Sequence, residues 1–329
     1  MQRRIGTVTL VVVGVALIVG TLAFQMFSRA PAYERMTNDF QKNVNPTTVA
    51  ALQADVTKLQ AAGTELQTKG IPTLAAMLKI SPEQFAALAQ QRFPALAASV
   101  QQIPQTAASF DKLLGVIATQ DAHLRSAAAI PAKNISTTVL PWIILGIGVV
   151  VVGLALARTR TASMVAVAVG ALTIIGVFAF SLPSKTSAAD ALNKAMKPYF
   201  TQQEIDASHQ SLASLDTLSG ELTGKVLSAI AAAQHVPTSQ LIGPFTSQFP
   251  AMTSALIALP DATDRANTLL ATFQRNLADY NKVAPFHFLA ATWEIAAAGL
   301  LIMVGGAVVV FISDEAAASE DRMRDAAVA

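Results

Sequence analysis

No cysteine occurs in the 329 residues of this chain, which excludes disulfides, thiolate metal sites and cysteine nucleophiles. Charge is scarce too: 13% of residues are Asp, Glu, Lys or Arg, against about 25% in an ordinary soluble domain. A net charge of +2, with no basic run interleaved with aromatics, leaves nothing to hold nucleic acid. There is no Gly-x-Ser-x-Gly elbow, no Walker-type phosphate loop and no dinucleotide glycine fingerprint. The sequence therefore offers no catalytic residue and no cofactor site, and a non-enzyme is expected. What fills the chain is apolar, with 53% hydrophobic residues and a mean hydropathy of +0.47.

Four apolar stretches reach the roughly 20 residues that cross a bilayer. They are Ile5–Phe27 behind Arg3 and Arg4, Leu140–Ala157, Ala162–Leu182 and Leu289–Ile312. Arg158 and Arg160 sit in the tight link between the second and third. The positive-inside rule places that link and the N-terminus in the cytoplasm, and four spans return the C-terminal tail to the same side. The first stretch, followed by Ala30-Pro31-Ala32, could also be read as a cleavable signal peptide. It is longer than the usual apolar core of about 7–15 residues, and a second observation argues for its retention.

That observation is a duplication. Gln91-Arg92-Phe93-Pro94-Ala95-Leu96 returns as Ser247-Gln248-Phe249-Pro250-Ala251-Met252; ten residues after each proline stands another, Pro104 and Pro260. Both steps, 94 to 250 and 104 to 260, are 156 residues. Gly14, Ile18, Gly20, Ala23 and Phe24 recur at the same offset as Gly170, Ile174, Gly176, Ala179 and Phe180, inside a segment that no signal peptidase removes. The alignment needs no gap from Gly14 to about Ile117 and slips only near the last span, where Trp142 and Trp293 differ by 151.

The expected fold is all-α: four transmembrane helices and two helical extracytoplasmic segments, a tandem parallel repeat with a pseudo-twofold axis along the membrane normal. The expected organisation is residues 1–27 (cytoplasmic N-terminus and first span), 28–137 (first ectodomain), 138–157 (second span) and 158–161 (cytoplasmic link). Residues 162–182 (third span), 183–286 (second ectodomain), 287–312 (fourth span) and 313–329 (a cytoplasmic, disordered tail) follow. Val49, Leu52, Val56, Leu59 and Leu66 keep helical spacing, and Ile205, Ser208, Leu212, Leu215 and Leu222 repeat them. Ser81-Pro82-Glu83 reads as a helix start, and Pro237-Thr238-Ser239 as the same punctuation. Pro94 and Pro104 read as first-turn prolines after short breaks. Glu65 with Lys69, and Glu221 with Lys225, read as i,i+4 pairs on a solvated face. Each ectodomain is small, so the two are expected to pair and bury more together. Gly14, Gly20, Gly146, Gly148, Gly153, Gly170, Gly176, Gly299, Gly305 and Gly306 are expected to let spans approach closely.

Few residues stand out as functional candidates. Glu294 is the acid nearest the apolar part of a span, where a carboxylate would mark an ion or proton site. Trp293 beside it, like Trp142, reads as an interface anchor, so an interfacial Glu294 is favoured. Phe93 and Phe249 could line a peptide or lipid groove; the plainer reading is that Phe closes the core while Pro restarts the helix. His123, His209, His235 and His287 lack metal-ligand spacing, and no metal is expected. Asn134-Ile135-Ser136 matches a glycosylation acceptor, which a bacterial source would make irrelevant.

With Phe93-Pro94-Ala95, Ile103-Pro104 and the Leu140-Pro141-Trp142 start of the second span, the chain resembles uncharacterised integral membrane proteins of actinobacteria. The resemblance covers both repeats and implies no active-site residues. The expected function is a non-enzymatic protein of the bacterial inner membrane that presents a paired helical ectodomain to a protein partner, as an accessory subunit of a cell-envelope or lipid-transport assembly. Its partners would be the lipid bilayer and that protein, with no nucleic acid. The alternative is a transporter or lipid-handling protein with an apolar cavity between the repeats. A membrane sensor subunit is less favoured, since about 17 residues follow the last span.

Overall fold

The computed structural model describes residues 2–132 and 135–328. In chain order its α-helices are α1 (Gln2–Ala23), α2 (Met26–Asn43), α3 (Pro46–Glu65), α4 (Ile71–Met77), α5 (Pro82–Arg92), α6 (Pro94–Ala128) and α7 (Leu140–Ala157). Then come α8 (Arg160–Ala179), α9 (Leu182–Met196), α10 (Gln202–Gly220), α11 (Leu227–Gln234), α12 (Thr238–Gln248), α13 (Pro250–Val283) and α14 (Phe288–Val328). Among the described residues there is no strand, only an isolated bridge between Ala132 and Ile135. Four helices are long and apolar enough to cross a membrane: α1, α7, α8 and α14, the last through its apolar part up to Ile312. The fold is all-α, as composition and periodicity require.

The chain divides into two compact units, each drawn from both halves of the sequence. Unit 1 is Met1–Asn38, Ala122–Lys194 and Ala278–Ala329; unit 2 is Asp39–Asp121 and Ala195–Leu277. Each of the two long segments between candidate spans thus contributes to both units.

In unit 1, α1 lies against α7 and α14, α8 lies against α14, and α7 touches α8. Leu10, Val13, Val151, Ala155, Ala166 and Ile302 form their shared core. The outward faces carry exposed Val12, Val19, Leu172 and Phe311, a surface suited to hydrocarbon because every backbone polar group is already satisfied within a helix. Small residues set the helix separations. A Cβ on Gly14 would lie 2.9 Å from the Gly148 carbonyl, and one on Gly170 only 2.5 Å from that of Gly299. Gly305 and Gly306 also face neighbouring helices, but Gly146, Gly153 and Gly176 look into open space and Gly20 meets only the nearby Phe24 ring. Close approach therefore uses a subset of the glycines expected for it.

Two boundaries differ from the sequence reading. α1 ends at Ala23 and α8 at Ala179, before the expected Phe27 and Leu182, because Gln25 and Ser181 both turn left-handed at φ 52°. The tail after Ile312, expected to be disordered, continues α14 as helix to Val328. It contains neither Gly nor Pro and is rich in Ala, Asp, Glu and Arg, of which Ala, Glu and Arg are strong helix formers.

In unit 2, the apolar stripe of α3 is buried at Val49, Leu52 and Val56, and that of α10 at Ile205, Leu212 and Leu215. Phe40, Phe200 and Phe273 cluster with ring centroids 4.8–5.5 Å apart. Ion pairs join the same halves. Arg265 donates through Nε and Nη2 to Asp55 Oδ2 at 2.9 and 2.6 Å, and Asp39 accepts from Arg275 and Asn276. Pro104 and Pro260 do not begin helices; they lie inside α6 and α13. Both are exposed, so the carbonyl each leaves without a helical partner can be solvated, which keeps the cost of an interior proline tolerable.

Candidate functional site

The repeated Phe-Pro step marks a pair of buried polar links in unit 2. A residue preceding proline avoids helical backbone, and Phe93 (φ −134°, ψ 60°) and Phe249 (φ −126°, ψ 62°) end α5 and α12 in the same conformation. Pro94 and Pro250 then open α6 and α13 at the position where a missing N–H costs nothing. Both phenylalanines are buried, Phe249 completely, so neither offers a groove wall.

The N–H groups that these helix starts leave without a helical partner are buried and held by carboxylates from distant sequence. Glu65, at the end of α3, accepts from Met252 N at 2.8 Å; Glu221, just after α10, accepts from Leu96 N at 3.1 Å. The links are reciprocal, and their positions again differ by 156 (65 to 221, 96 to 252). A carboxylate at a helix N-terminus both satisfies an orphan donor and meets the positive end of the helix dipole. This corrects the reading of these acids as a solvated face: Glu65 is 8% and Glu221 5% exposed. Lys225 remains within 3.4 Å of Glu221 while itself largely exposed. The backbone departs from α-helix at the same places, with π-helical turns over Leu66–Gly70 and Glu221–Val226. Such turns commonly sit at specialised sites, and nothing in the i,i+4 spacing forecasts them.

Beside these links unit 2 holds two apolar cavities, enclosing about 550 and 400 Å³ of space partly open to solvent. They adjoin, since Leu59, Leu215, Ala255 and Leu259 line both. Asp55 and Lys58 border one of them. Much of that space is open to solvent, and the lining holds no nucleophile with an adjacent base.

Unit 1 uses its acids in the same manner. Asp190 of α9 accepts from the backbone N of Phe288 and of Leu289, both at 3.0 Å, and so caps α14. Glu34 of α2 accepts from Ser136 Oγ and Thr138 N just before α7. Asp279 pairs bidentately with Arg35 (2.8 and 2.9 Å), which holds its carboxyl below the usual aspartate range. Tyr33 donates to the Ala127 carbonyl at 2.8 Å, and burial pushes its phenol well above the ordinary value. Tyr280 donates to the Asn193 carbonyl and is pushed up to about 12, again by burial.

The remaining candidates stay apart. Glu294 lies in the second turn of α14 with an exposed side chain. Trp142 and Trp293 are 64% and 50% exposed and meet Phe27 and Phe178 edge-on at 4.8 and 6.3 Å. His235 is the left-handed cap of α11 (φ 55°), a backbone role that His fills more readily than most residues. His209 and His287 are exposed, and His123 is half-buried. Among the described residues no three His, Asp or Glu side chains gather. Asn134 lies outside the described residues. The links that sequence reasoning missed, Asp55–Arg265 and Asp39–Arg275, have no copies at the 156 offset, where Ser211, Ser109, Ala195 and Thr119 stand. No family model and no curated protein sequence matches the chain.

Proposed function

We propose that the chain is a non-enzymatic protein of the bacterial inner membrane, built from two copies of a span–helical segment–span unit about a pseudo-twofold axis along the membrane normal. Its termini and the 158–161 link face the cytoplasm, and the two long segments lie outside it, where their paired helices engage a protein partner of the envelope. Several features at the 156 offset support the duplication: left-handed Gln25 with Ser181, left-handed Lys79 with His235, and the matching Phe-Pro breaks. The observation that carries the scaffold reading is the use of the buried and half-buried acids in unit 2. Glu65 and Glu221 hold helix starts across the two sequence halves, and Asp39 and Asp55 hold arginines of α13. These contacts make a stiff body rather than a reactive one. Cross-linking in cells followed by purification in mild detergent tests the reading: a stoichiometric envelope partner is expected, and a chain recovered alone after cross-linking counts against it.

The adjoining apolar cavities favour a second reading, lipid handling within unit 2. Leu215→Trp should fill the space and displace lipid detected by native mass spectrometry. Lipid-free wild-type protein, with Glu294→Gln silent in a transport assay, would exclude this reading.

A further inference from the structure

Unit 1 contains another apolar cavity, a cleft of about 620 Å³ when the open space at its mouth is counted in. Met26, Leu140, Pro141, Leu182, Phe288 and Ile295 give it apolar walls. These residues follow α1 and α8 or sit in the first turn of α7 and the first two turns of α14, so all four candidate spans meet the cavity at one end. Exposed Trp142 and Trp293 mark the same end of α7 and α14, the level at which tryptophan anchors a helix at a membrane interface.

The hydroxyls in the wall are spent on the protein. Tyr33 donates to Ala127 O, Thr137 to Ile130 O, Thr186 to Leu182 O, and Thr292 to Phe288 O and Thr186 Oγ1. A cavity with so few free polar partners holds water poorly and favours hydrocarbon. One cation lines it. Arg29 is half-buried, its guanidinium 5.7 Å from the centre of the Phe286 ring, with no carboxylate partner among the described residues. The nearby carboxylates are engaged elsewhere: Glu34 with Ser136 and Thr138, Asp190 with the start of α14, and Asp279 with Arg35.

An apolar space and a partly desolvated, unpaired arginine at the end of a span bundle call for one amphiphile. We infer that this cavity takes an acyl chain of an anionic phospholipid, with Arg29 holding the lipid phosphate. A planar guanidinium matches a phosphate bidentately, and an anionic lipid brings no choline cation to oppose Arg29, while the site's place at the ends of the spans keeps the chain continuous with the bilayer. The inference does not rest on the lipid-handling reading of unit 2.

The test is native mass spectrometry of the full chain from nanodiscs containing equal phosphatidylglycerol and phosphatidylcholine with identical chains. Wild type should retain one phosphatidylglycerol in clear preference. Arg29→Gln should lower that preference about tenfold, the size of one lost charge-assisted hydrogen bond, while Arg92→Gln, at an exposed arginine of α5 in unit 2, leaves it unchanged. Ala291→Phe, which fills the cavity, should abolish retention of both lipids. Should that variant fail to fold, a phosphatidylglycerol with a photoreactive acyl chain, cross-linked to wild type, should label Met26 or Ile295. Equal retention of the two lipids, an unchanged preference in Arg29→Gln, or labelling confined to the outer faces of the spans would overturn the assignment. So would release of the lipid by millimolar inorganic phosphate, which would show that a free anion alone satisfies Arg29.

Discussion

Burial at single residues sets how this protein responds to pH. The chain has three tyrosines, and two of them, Tyr33 and Tyr280, place their phenols among buried apolar groups and donate to backbone carbonyls. A phenol raised in the folded state keeps its proton while the unfolded chain loses it. The stability this contributes is complete below about pH 10, the ordinary tyrosine value, and is lost as pH rises from there toward about 12 at Tyr280. Absorbance titration of the folded protein should therefore show Tyr33 and Tyr280 silent until the protein unfolds. Tyr280→Phe should move the alkaline unfolding limb to higher pH, and an unmoved limb would show that Tyr280 does not control it. Asp279 acts in the opposite direction. Arg35 lowers its folded-state pKa, so its contribution is present above about pH 4 and fades as pH falls through the folded value. Arg35→Gln should flatten the acid limb of thermal stability. The effect should be small, because Arg35 itself is 59% exposed.

Helix ends and helix faces carry the element-scale predictions. Each reciprocal carboxylate satisfies a backbone N–H at the start of a helix of more than thirty residues. Glu65→Ala leaves the Met252 N–H buried without an acceptor and should destabilise unit 2 by about 1–3 kcal/mol. Glu65→Gln keeps an acceptor and loses only the charge–dipole attraction, so about 1 kcal/mol or less is expected. Denaturant unfolding followed by a fluorophore in unit 2 reads both, and equal effects would show that hydrogen bonding contributes nothing. In the candidate spans, Gly170→Ala should loosen α8 from α14, because its Cβ meets backbone at 2.5 Å. Gly146→Ala should be neutral or slightly stabilising, since nothing lies within 4 Å there. Thermal aggregation in one detergent compares the pair.

These two elements also show where the sequence was readable. Apolar length located four span-like helices, and 3-4 spacing located the buried stripes of α3 and α10, because both patterns are local. The roles of Glu65 and Glu221 were not readable. Lys69 and Lys225 stand at i+4 and imitate a solvated pair, whereas the true partners, Met252 N and Leu96 N, lie 187 and 125 residues away. Arg29 was hidden for the same reason: only the fold brings Phe286 and the ends of four spans around it.

At the scale of the whole molecule the open question is orientation, and the missing cysteines make it directly measurable. A single cysteine introduced anywhere is the only thiol in the chain. Thr161, in the first turn of α8 beside the link from α7, and Gln240, in α12, are both exposed and bear no described contact of their side chains. The arginines at 158 and 160 would face a translocation penalty outside the cytoplasm, and short loops obey this bias most strictly. With the link inside, an even number of spans returns both termini to the same side, and the segments between the first and second and between the third and fourth spans share the opposite one. That arrangement also lets Glu65 reach Met252, since helices separated by a membrane could not exchange caps. Intact cells treated with a membrane-impermeant maleimide should label Gln240→Cys and spare Thr161→Cys until the membrane is opened. The reverse pattern would invert the molecule. Labelling at both positions in intact cells would remove α7 or α8 from the bilayer, and the parallel repeat with it.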